Sequence, residues 1–127
     1  MLLESIPHSH GKTENLRDVQ RTLENTAPFQ GAAQLFATLS DDSRIRIFWL
    51  LCHREECVVN ISALVGMSSP AVSHHLRSLK ALGLIDSRRM GKEVHYRAAD
   101  SEVSRLLHKM VEQVMAVSCP RDQFLTK

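Results

Sequence analysis

Basic side chains are concentrated in one stretch of the chain, residues 70–97, where they could neutralise the phosphates of a nucleic acid. Six Lys or Arg residues stand there against two acids, a local balance of +4 in a chain whose net charge is +2. Each phosphate that a cation neutralises releases counterions, so binding of this kind weakens steeply as salt rises. A basic region on a nearly neutral body is the pattern expected of a protein that binds the phosphate backbone.

Small polar residues open this stretch, in the sequence SSPAVSHHLRSLKAL that begins at Ser68. Ser68 is a predicted N-cap, Pro70 is tolerated in a first helical turn, and Gly83 ends the helix. Apolar residues at helical spacing are predicted to face the core: Val72, Leu76, Leu79 and Leu82. The side chains left on other faces could contact bases and phosphates: Ser69, Ser73, His74, Arg77 and Lys80. Of His74 and His75, one is expected to meet DNA and the other to pack inward.

A basic hairpin is predicted after this helix. Two short extended runs, 84–88 and 93–97, are joined by the sequence RMGK, which is typical of a tight turn. The hairpin would carry Arg88, Arg89 and Lys92 to the neighbouring backbone or the minor groove. A short helix over 57–65, with the stripe Val58, Ile61, Leu64 and Val65 and with Gly66 at its end, would brace the longer one. The alternative interpretation is a solvated basic hairpin on an ordinary helical protein.

The order of these elements predicts a winged helix-turn-helix, whose second helix enters the major groove of duplex DNA. We summarise the fold as mostly α with a small β-hairpin wing, in the order α-α-α-α-β-β-α. Further helical runs are predicted over 14–25, over 29–39, in the sequence RIRIFWLLC, and from Asp100 or Ser101 to Pro120. In the third run Ile45, Phe48, Trp49 and Cys52 share one face, which is expected to face the core. Ile47, Leu50 and Leu51 extend the apolar surface around it, so this helix is expected to be mostly buried. A flexible arm (1–13), a winged-helix DNA-binding and dimerisation domain (14–120) and a tail (121–127) are expected.

Cysteine usage and hydropathy point to a cytoplasmic protein. The three cysteines, Cys52, Cys57 and Cys119, are too few and too odd in number for a disulfide framework. No apolar run approaches the length of a membrane span, and the first residues lack the features of a secretory signal. An enzyme is not expected, because no Gly-rich phosphate loop, Cys-His-Asn signature or paired carboxylates in an apolar setting are found.

The stretch SSPAVSHHLRSLKALGLIDSRRMGKEVHYR strongly resembles the ArsR/SmtB family of bacterial metal-sensing repressors, as do LFATLSDDSRIRIFWLL and EECVVNISALVGM. The resemblance covers about Ala32 to Val117. It implies a homodimeric winged-helix repressor that leaves double-stranded operator DNA when an inducer binds, with the first and last helices forming the dimer. Two apolar stripes of this chain fit that role: Leu16, Val19 and Leu23, and Leu106, Met110, Val114 and Val117.

One metal site that the resemblance implies lies on the last helix, and here it is lost. The matching positions are Asp100, Glu102, Gln113 and Ala116. Two of these four residues are poor zinc ligands, because zinc takes imidazole, thiolate or carboxylate groups in a tetrahedral array. Asp100 is then expected to be a helix cap and Glu102 a solvated acid.

A second family site begins at the short helix, where this chain reads CVVN. Cys57 is retained there and Asn60 replaces the family's acid. His8 and His10 of the partner's arm would complete a site for zinc or another thiophilic metal ion. The alternative is that Cys57 is a small buried hydrophobe and that the HSH sequence belongs to a mobile tail.

Thiol chemistry is a third option that the resemblance leaves open. Some family members sense persulfides or oxidants through one cysteine on each of two helices, and Cys52 and Cys119 stand about one turn from the expected positions. His108 could be an additional ligand, although a packed or exposed histidine is the more ordinary interpretation. The remaining alternatives are a redox- or persulfide-responsive repressor, a winged-helix regulator with no ligand, and a protein-interaction module that does not bind DNA.

Overall fold

The computed structural model describes residues 6–8, 10–11 and 15–118. They divide into two compact units, with the boundary between Phe36 and Ala37. Helix α1 (Leu16–Glu24) and most of helix α2 (Ala27–Thr38) belong to the first unit, and neither helix buries any of its residues. The predicted arm 1–13 lies mostly outside the described residues, and the predicted tail 121–127 lies wholly outside them.

The second unit contains four helices and a three-stranded antiparallel sheet. Its elements, in chain order, are α3 (Asp42–His53), β1 (Glu56–Cys57), α4 (Val58–Val65), α5 (Ser69–Ala81), β2 (Ile85–Met90), β3 (Glu93–Ala98) and α6 (Glu102–Ser118). The strand order in the sheet is β1-β3-β2. Among the described residues five helices precede the hairpin, in agreement with the five helical runs predicted individually, whereas the summary order α-α-α-α-β-β-α had one helix too few.

The buried face of α3 differs from the predicted one. Asp41 caps the helix, because its carboxylate accepts hydrogen bonds from the backbone N–H groups of Ser43 and Arg44. The residues of α3 that are buried are Ile47, Phe48 and Leu51, whereas Trp49 is 37% exposed and Ile45 and Cys52 are only half-buried. The helix is apolar almost all round, so its periodicity could not decide which face the core would take.

A tight turn joins α4 to α5 as predicted. Gly66 adopts a left-handed conformation with φ of 71°, and its N–H and that of Met67 both donate to the carbonyl of Ser62. Ser68 then caps α5, since its hydroxyl accepts from the Ala71 N–H at 3.3 Å. Within the predicted apolar stripe of α4, Leu64 is 56% exposed and lies outside the core, and Leu82, which was predicted to face the core, is half-buried.

The core of the second unit holds α5 and the base of the hairpin in place. Its buried apolar residues include Val72, Leu76 and Leu79 of α5 together with Leu84 and Ile85. Helix α6 is fastened to the same region, because the buried Ser104 hydroxyl donates to the Leu84 carbonyl at 3.2 Å. The start of the hairpin therefore has a fixed position relative to α5 and α6.

Candidate nucleic-acid interface

The polar residues predicted to contact DNA all lie on α5, at its N-cap or on the β2–β3 hairpin, and only Ser73 among them is not fully exposed. They are Ser68, Ser69, Ser73, His74, Arg77, Lys80, Arg88, Arg89 and Lys92. We call α5 the reading helix and the β2–β3 hairpin the wing. The apolar face of the reading helix is buried in the core, so its polar face is the one available to a ligand.

The two adjacent histidines of the reading helix have different environments. His74 is exposed, whereas His75 is half-buried. The Nδ1 atom of His75 is inaccessible to solvent and has no hydrogen-bond partner among the described residues. This agrees with the expectation that one of the two histidines packs inward; contact of the other with DNA stays a prediction.

The reading helix and the wing are connected by a side-chain hydrogen bond. The Lys80 ammonium donates to the Ser87 hydroxyl of β2 at 2.6 Å. At the tip of the wing, Met90 pairs with Glu93 across Gly91 and Lys92, and Gly91 has a φ of 65°. A positive φ at the first of two loop residues is typical of tight hairpin turns and is a conformation that glycine adopts without strain.

The cations of this surface differ in their partners. The Arg88 Nε atom donates to Glu55 at 2.9 Å, and this hydrogen bond holds the pKa of Glu55 below its ordinary value. By contrast, Arg77, Arg89 and Lys92 make no ion pair with any acid in the part of the chain that the structure describes. These cations are thus available for phosphates, while the pairing with Glu55 fixes the position of Arg88 on the wing.

The residues predicted to form a dimer interface are apolar and mostly solvent-exposed within one chain. On α1, Val19 is 44% and Leu23 is 58% exposed. On α6, Leu106 is 63% and Val117 is 89% exposed. The other predicted residues are the half-buried Leu16 and Met110 and the exposed Val114. Exposed apolar side chains at helical spacing are typical of surfaces that another protein covers.

The cysteine of the predicted zinc site is buried. Cys57 is 7% exposed and ends the two-residue strand β1, where it pairs with His95 of β3. Asn60, which stands at the position of the family's acid, donates its side-chain amide to Glu56 at 2.9 Å. His8 and His10 are exposed, with ring centroids 6.4 Å apart. Because His8 and His10 belong to the first unit and Cys57 to the second, the three-ligand site stays a prediction.

The thiol of Cys52 is poorly suited to a redox switch. Burial raises its pKa to about 11, and the charge of Glu112 adds to the rise. A reactive cysteine requires a stabilised thiolate, so this environment disfavours thiol sensing at Cys52. Cys119, the other cysteine of the predicted pair, lies outside the described residues.

The positions of the lost family site on α6 have other roles or are exposed. Of the two residues at which the last helix was predicted to begin, Asp100 accepts a hydrogen bond from Arg105 at 2.6 Å and does not cap the helix. Ser101 does cap it, because its hydroxyl accepts from the Ser104 N–H. The other positions, Glu102, Gln113 and Ala116, are exposed on α6.

One constellation was missed by the sequence reasoning. The side chains of His53, His108 and Glu112 meet where the end of α3 faces α6, with their ligand atoms all within 4.8 Å of one another. The sequence could have indicated part of this cluster, because His108 and Glu112 are four residues apart and therefore lie on one face of a helix. The contribution of His53 was not readable, because it depends on the packing of α3 against α6.

Comparison with known proteins agrees with the family resemblance found in the sequence and with the fold described above. The profile described as "Bacterial regulatory protein, arsR family" matches residues 41–87. The "Transcriptional repressor SmtB homolog" of Synechocystis is 35% identical over 101 residues, which are 80% of this chain and 76% of that protein. The "Cadmium resistance transcriptional regulatory protein CadC homolog" of Staphylococcus aureus is 40% identical over 78 residues, 61% of this chain and 64% of that protein.

A solved structure has the same architecture. It is the homodimeric winged helix-turn-helix DNA-binding domain of Mb0332 from Mycobacterium bovis, with a TM-score of 0.62 and 26% sequence identity. The match covers 89% of this chain and 98% of that one. Among residues 15–118, no helix combines the length and the apolar character that crossing a bilayer requires.

Proposed function

The chain belongs to the arsR family of bacterial regulatory proteins, and we propose that it is a homodimeric repressor that binds operator DNA and releases it when an inducer, a metal ion, binds. The observation that carries the DNA-binding role is the pairing of an exposed polar face on the reading helix with a cationic wing. The Lys80–Ser87 hydrogen bond joins these two parts of the surface.

The chemistry of this surface matches the two parts of DNA recognition. Serine, histidine and arginine side chains of a helix can bond to base edges in the major groove, which is wide enough to admit one helix. The cations of the wing have phosphates as their natural partners, and phosphate contacts fix the register of a protein on the duplex without reading its sequence. We assign base reading to Ser73, His74 and Arg77, and backbone binding to Arg89 and Lys92.

A dimer would place two such surfaces on one duplex. Twofold symmetry presents two reading helices to half-sites about one helical turn apart, so the operator is expected to be an inverted repeat. The exposed apolar residues of α1 and α6 support this assembly. The homodimeric state of the Mb0332 domain, which has the same fold, supports it as well.

The proposed inducer is a metal ion, and the proposed activity is binding, without catalysis, in the cytoplasm. The support comes from relatives described as a cadmium resistance regulator and as an arsenical resistance operon repressor. A metal that binds the free protein more tightly than the DNA complex must weaken DNA binding by the same factor, because coupling between two ligands is reciprocal. The Cys57, His8 and His10 site remains one candidate for this metal.

Fluorescence anisotropy with the full-length protein tests the proposal. The probe is a labelled duplex from the DNA upstream of the gene, compared with a scrambled duplex over a series of salt concentrations. We expect Ser73→Ala and His74→Ala to weaken operator binding by about 1–3 kcal/mol and to affect the scrambled duplex less. Arg89→Ala and Lys92→Ala should weaken both complexes alike and reduce the salt slope by about 1 each.

The matched control is Arg105→Ala, which removes the same charge from α6, outside the proposed interface. It should leave the salt slope unchanged. If the wing variants keep the full salt dependence of the parent protein, the wing does not bind phosphates. If operator and scrambled DNA bind equally, the chain is not a sequence-specific repressor.

A further inference from the structure

We propose that His53, His108 and Glu112 form a binding site for a divalent transition-metal ion of the zinc type, within a single protomer. This cluster is separate from Cys57 and from the positions on α6 that match the family's site. Its regulatory meaning rests on the proposed function, which it deepens by naming where the inducer binds. The metal-binding chemistry itself can be tested without DNA.

The distances between the three ligand atoms fit a metal ion. His53 Nε2 lies 3.2 Å from Glu112 Oε2, His108 Nε2 lies 3.2 Å from the same oxygen, and the two nitrogens are 3.3 Å apart. Zinc binds imidazole nitrogen and carboxylate oxygen at about 2.0–2.2 Å, so neighbouring donors of a tetrahedral site lie about 3.3 Å apart. The three atoms therefore form one face of a tetrahedron of the right size.

Hydrogen bonding among the three groups cannot satisfy all of these contacts at once. A neutral imidazole carries a single N–H, so each Nε2 atom can donate to only one of its two neighbours in the triangle. With both Nε2 atoms protonated, two N–H groups would face each other across 3.3 Å. A cation that accepts one lone pair from each atom satisfies all three ligands together.

Glu112 has a hydrogen-bond donor from outside the group of three proposed ligands. The Trp49 indole N–H donates to Glu112 Oε2 at 3.0 Å. Donors that orient a ligating carboxylate are typical of protein metal sites.

The site is open to an ion from solution. The side chains of His53, His108 and Glu112 are 41%, 31% and 47% exposed. Three protein ligands leave the fourth position of a tetrahedral ion for water. Two imidazoles and one carboxylate favour zinc, cobalt or nickel over calcium or magnesium, which prefer oxygen ligands alone.

The position of the site suggests how it would act. His53 is the last residue of α3, which packs against the reading helix, whereas His108 and Glu112 lie one turn apart on α6. A bound ion would therefore join the end of α3 to α6, the helix that carries the proposed dimer face. We expect the metal to lower operator affinity by about 5- to 150-fold, the usual range for coupled sites.

Titration of the chelator-treated full-length protein with Co²⁺ tests metal binding directly. Trp49 is the only tryptophan of the chain, and its ring centroid lies 4.2 Å from that of His53. Paramagnetic Co²⁺ in the site should therefore quench the tryptophan fluorescence and produce the visible d–d bands of four-coordinate cobalt, without thiolate charge-transfer bands. Zn²⁺ should reverse both signals by competition.

Conservative variants locate the site. His108→Gln and Glu112→Gln should each weaken Co²⁺ binding by at least about 100-fold, because loss of an outer-shell partner alone costs about 10- to 100-fold. The matched control is His95→Gln, since His95 also contacts a carboxylate, that of Glu93 at 3.0 Å. His95→Gln should bind Co²⁺ as the parent protein does, and Cys57→Ser tests whether the ion is held at the Cys57 site instead. Circular dichroism verifies that each variant is folded.

The outcomes separate this inference from the proposed function. Co²⁺ binding that survives His108→Gln and Glu112→Gln, or that disappears in Cys57→Ser, overturns the site. Metal-free protein that does not bind the operator overturns the proposed function and leaves the metal site intact. If Zn²⁺ weakens operator binding by the parent protein and not by His108→Gln, the result supports both the metal site and the proposed function. If Zn²⁺ weakens operator binding equally in the two proteins, the site has no regulatory role.

Discussion

The Lys80 ammonium and the Ser87 hydroxyl are 2.6 Å apart, and their hydrogen bond links the last turn of the reading helix to the first strand of the wing. Lys80 was predicted to face DNA, but in this hydrogen bond its ammonium group positions the wing within the protein. Lys80 nevertheless keeps two of its three donors for phosphate or water, because an ammonium group carries three N–H bonds.

We predict that Ser87→Ala weakens DNA binding about threefold to tenfold, although it does not change the net charge. The lost hydrogen bond contributes about 1.4 kcal/mol or less, and about 1.4 kcal/mol corresponds to a tenfold change in affinity. The free energy of unfolding should fall by no more than about 1 kcal/mol. Anisotropy titrations and urea denaturation measure the two effects, and amide hydrogen exchange in the wing should become faster.

The control for this prediction is Ser78→Ala, which removes a hydroxyl that bonds only within the reading helix, to the His74 carbonyl. Its effect on wing exchange should be negligible. Equal DNA affinities for Ser87→Ala and Ser78→Ala would mean that the bond to Lys80 does not position the wing.

The N-cap of the reading helix allows stability and DNA contact to be separated at a single position. Ser68→Ala removes the acceptor of the Ala71 N–H and should lower the free energy of unfolding by about 0.5–2 kcal/mol. Ser68→Asp keeps an acceptor there and should be as stable as the parent protein or slightly more so. The new charge would repel a phosphate at the helix N-terminus, so Ser68→Asp should bind DNA more weakly in spite of its stability. Parent-like DNA affinity of Ser68→Asp would show that no phosphate lies there.

Local signals in the sequence were sufficient for the reading helix and the wing. A capping serine, a glycine after the helix and apolar residues at helical spacing define α5, and its predicted core residues Val72, Leu76 and Leu79 are buried. The wing is defined by the sequence around Gly91, whose positive φ the tight turn requires. These features depend on neighbours within a few residues, which is the range over which a pattern can be read.

Features that depend on distant partners could not be predicted in the same way. Strand β1 has two residues and exists only because Glu56 and Cys57 pair with Tyr96 and His95 of β3. The face that α3 buries is set by the helices around it, because apolar residues occur on every side of the helix. The approach of His53 to His108, across 55 residues of sequence, likewise follows from tertiary packing.

The exposed stripe on α6 gives a prediction about assembly. Leu106→Asp should raise the dissociation constant of the dimer by at least about tenfold. Full burial of a leucine contributes about 1.5–3 kcal/mol, and in a twofold dimer the substitution is present at two places in the interface. Analytical ultracentrifugation measures the constant. Val59→Asp on α4 is the control, because Val59 is 70% exposed and has no proposed partner surface. A dimer unaffected by Leu106→Asp would remove this part of α6 from the interface.

The ion pair between Glu55 and Arg88 predicts a dependence of stability on pH. The hydrogen bond from Arg88 is the main reason that the pKa of Glu55 lies below its ordinary value of 4.5 in the folded protein, and the charges of His95 and Arg97 act in the same direction. A depressed carboxyl pKa means that the folded state binds the proton less tightly than the unfolded state. The resulting stabilisation is present above pH 4.5 and is lost as the pH falls through the lower, folded-state value.

We therefore expect Arg88→Met to melt at a lower temperature than the parent protein at pH 6–7, and the difference to shrink as the pH is lowered below 4.5. Thermal melts followed by circular dichroism between pH 3 and 7 measure it. Glu55→Gln is the matched control, because it removes the titrating group from the same pair. It should be less stable than the parent protein at neutral pH, and its stability should change less as the pH is lowered. A gap between Arg88→Met and the parent protein that stays constant down to pH 3 would mean that the stabilisation does not come from the charge of Glu55.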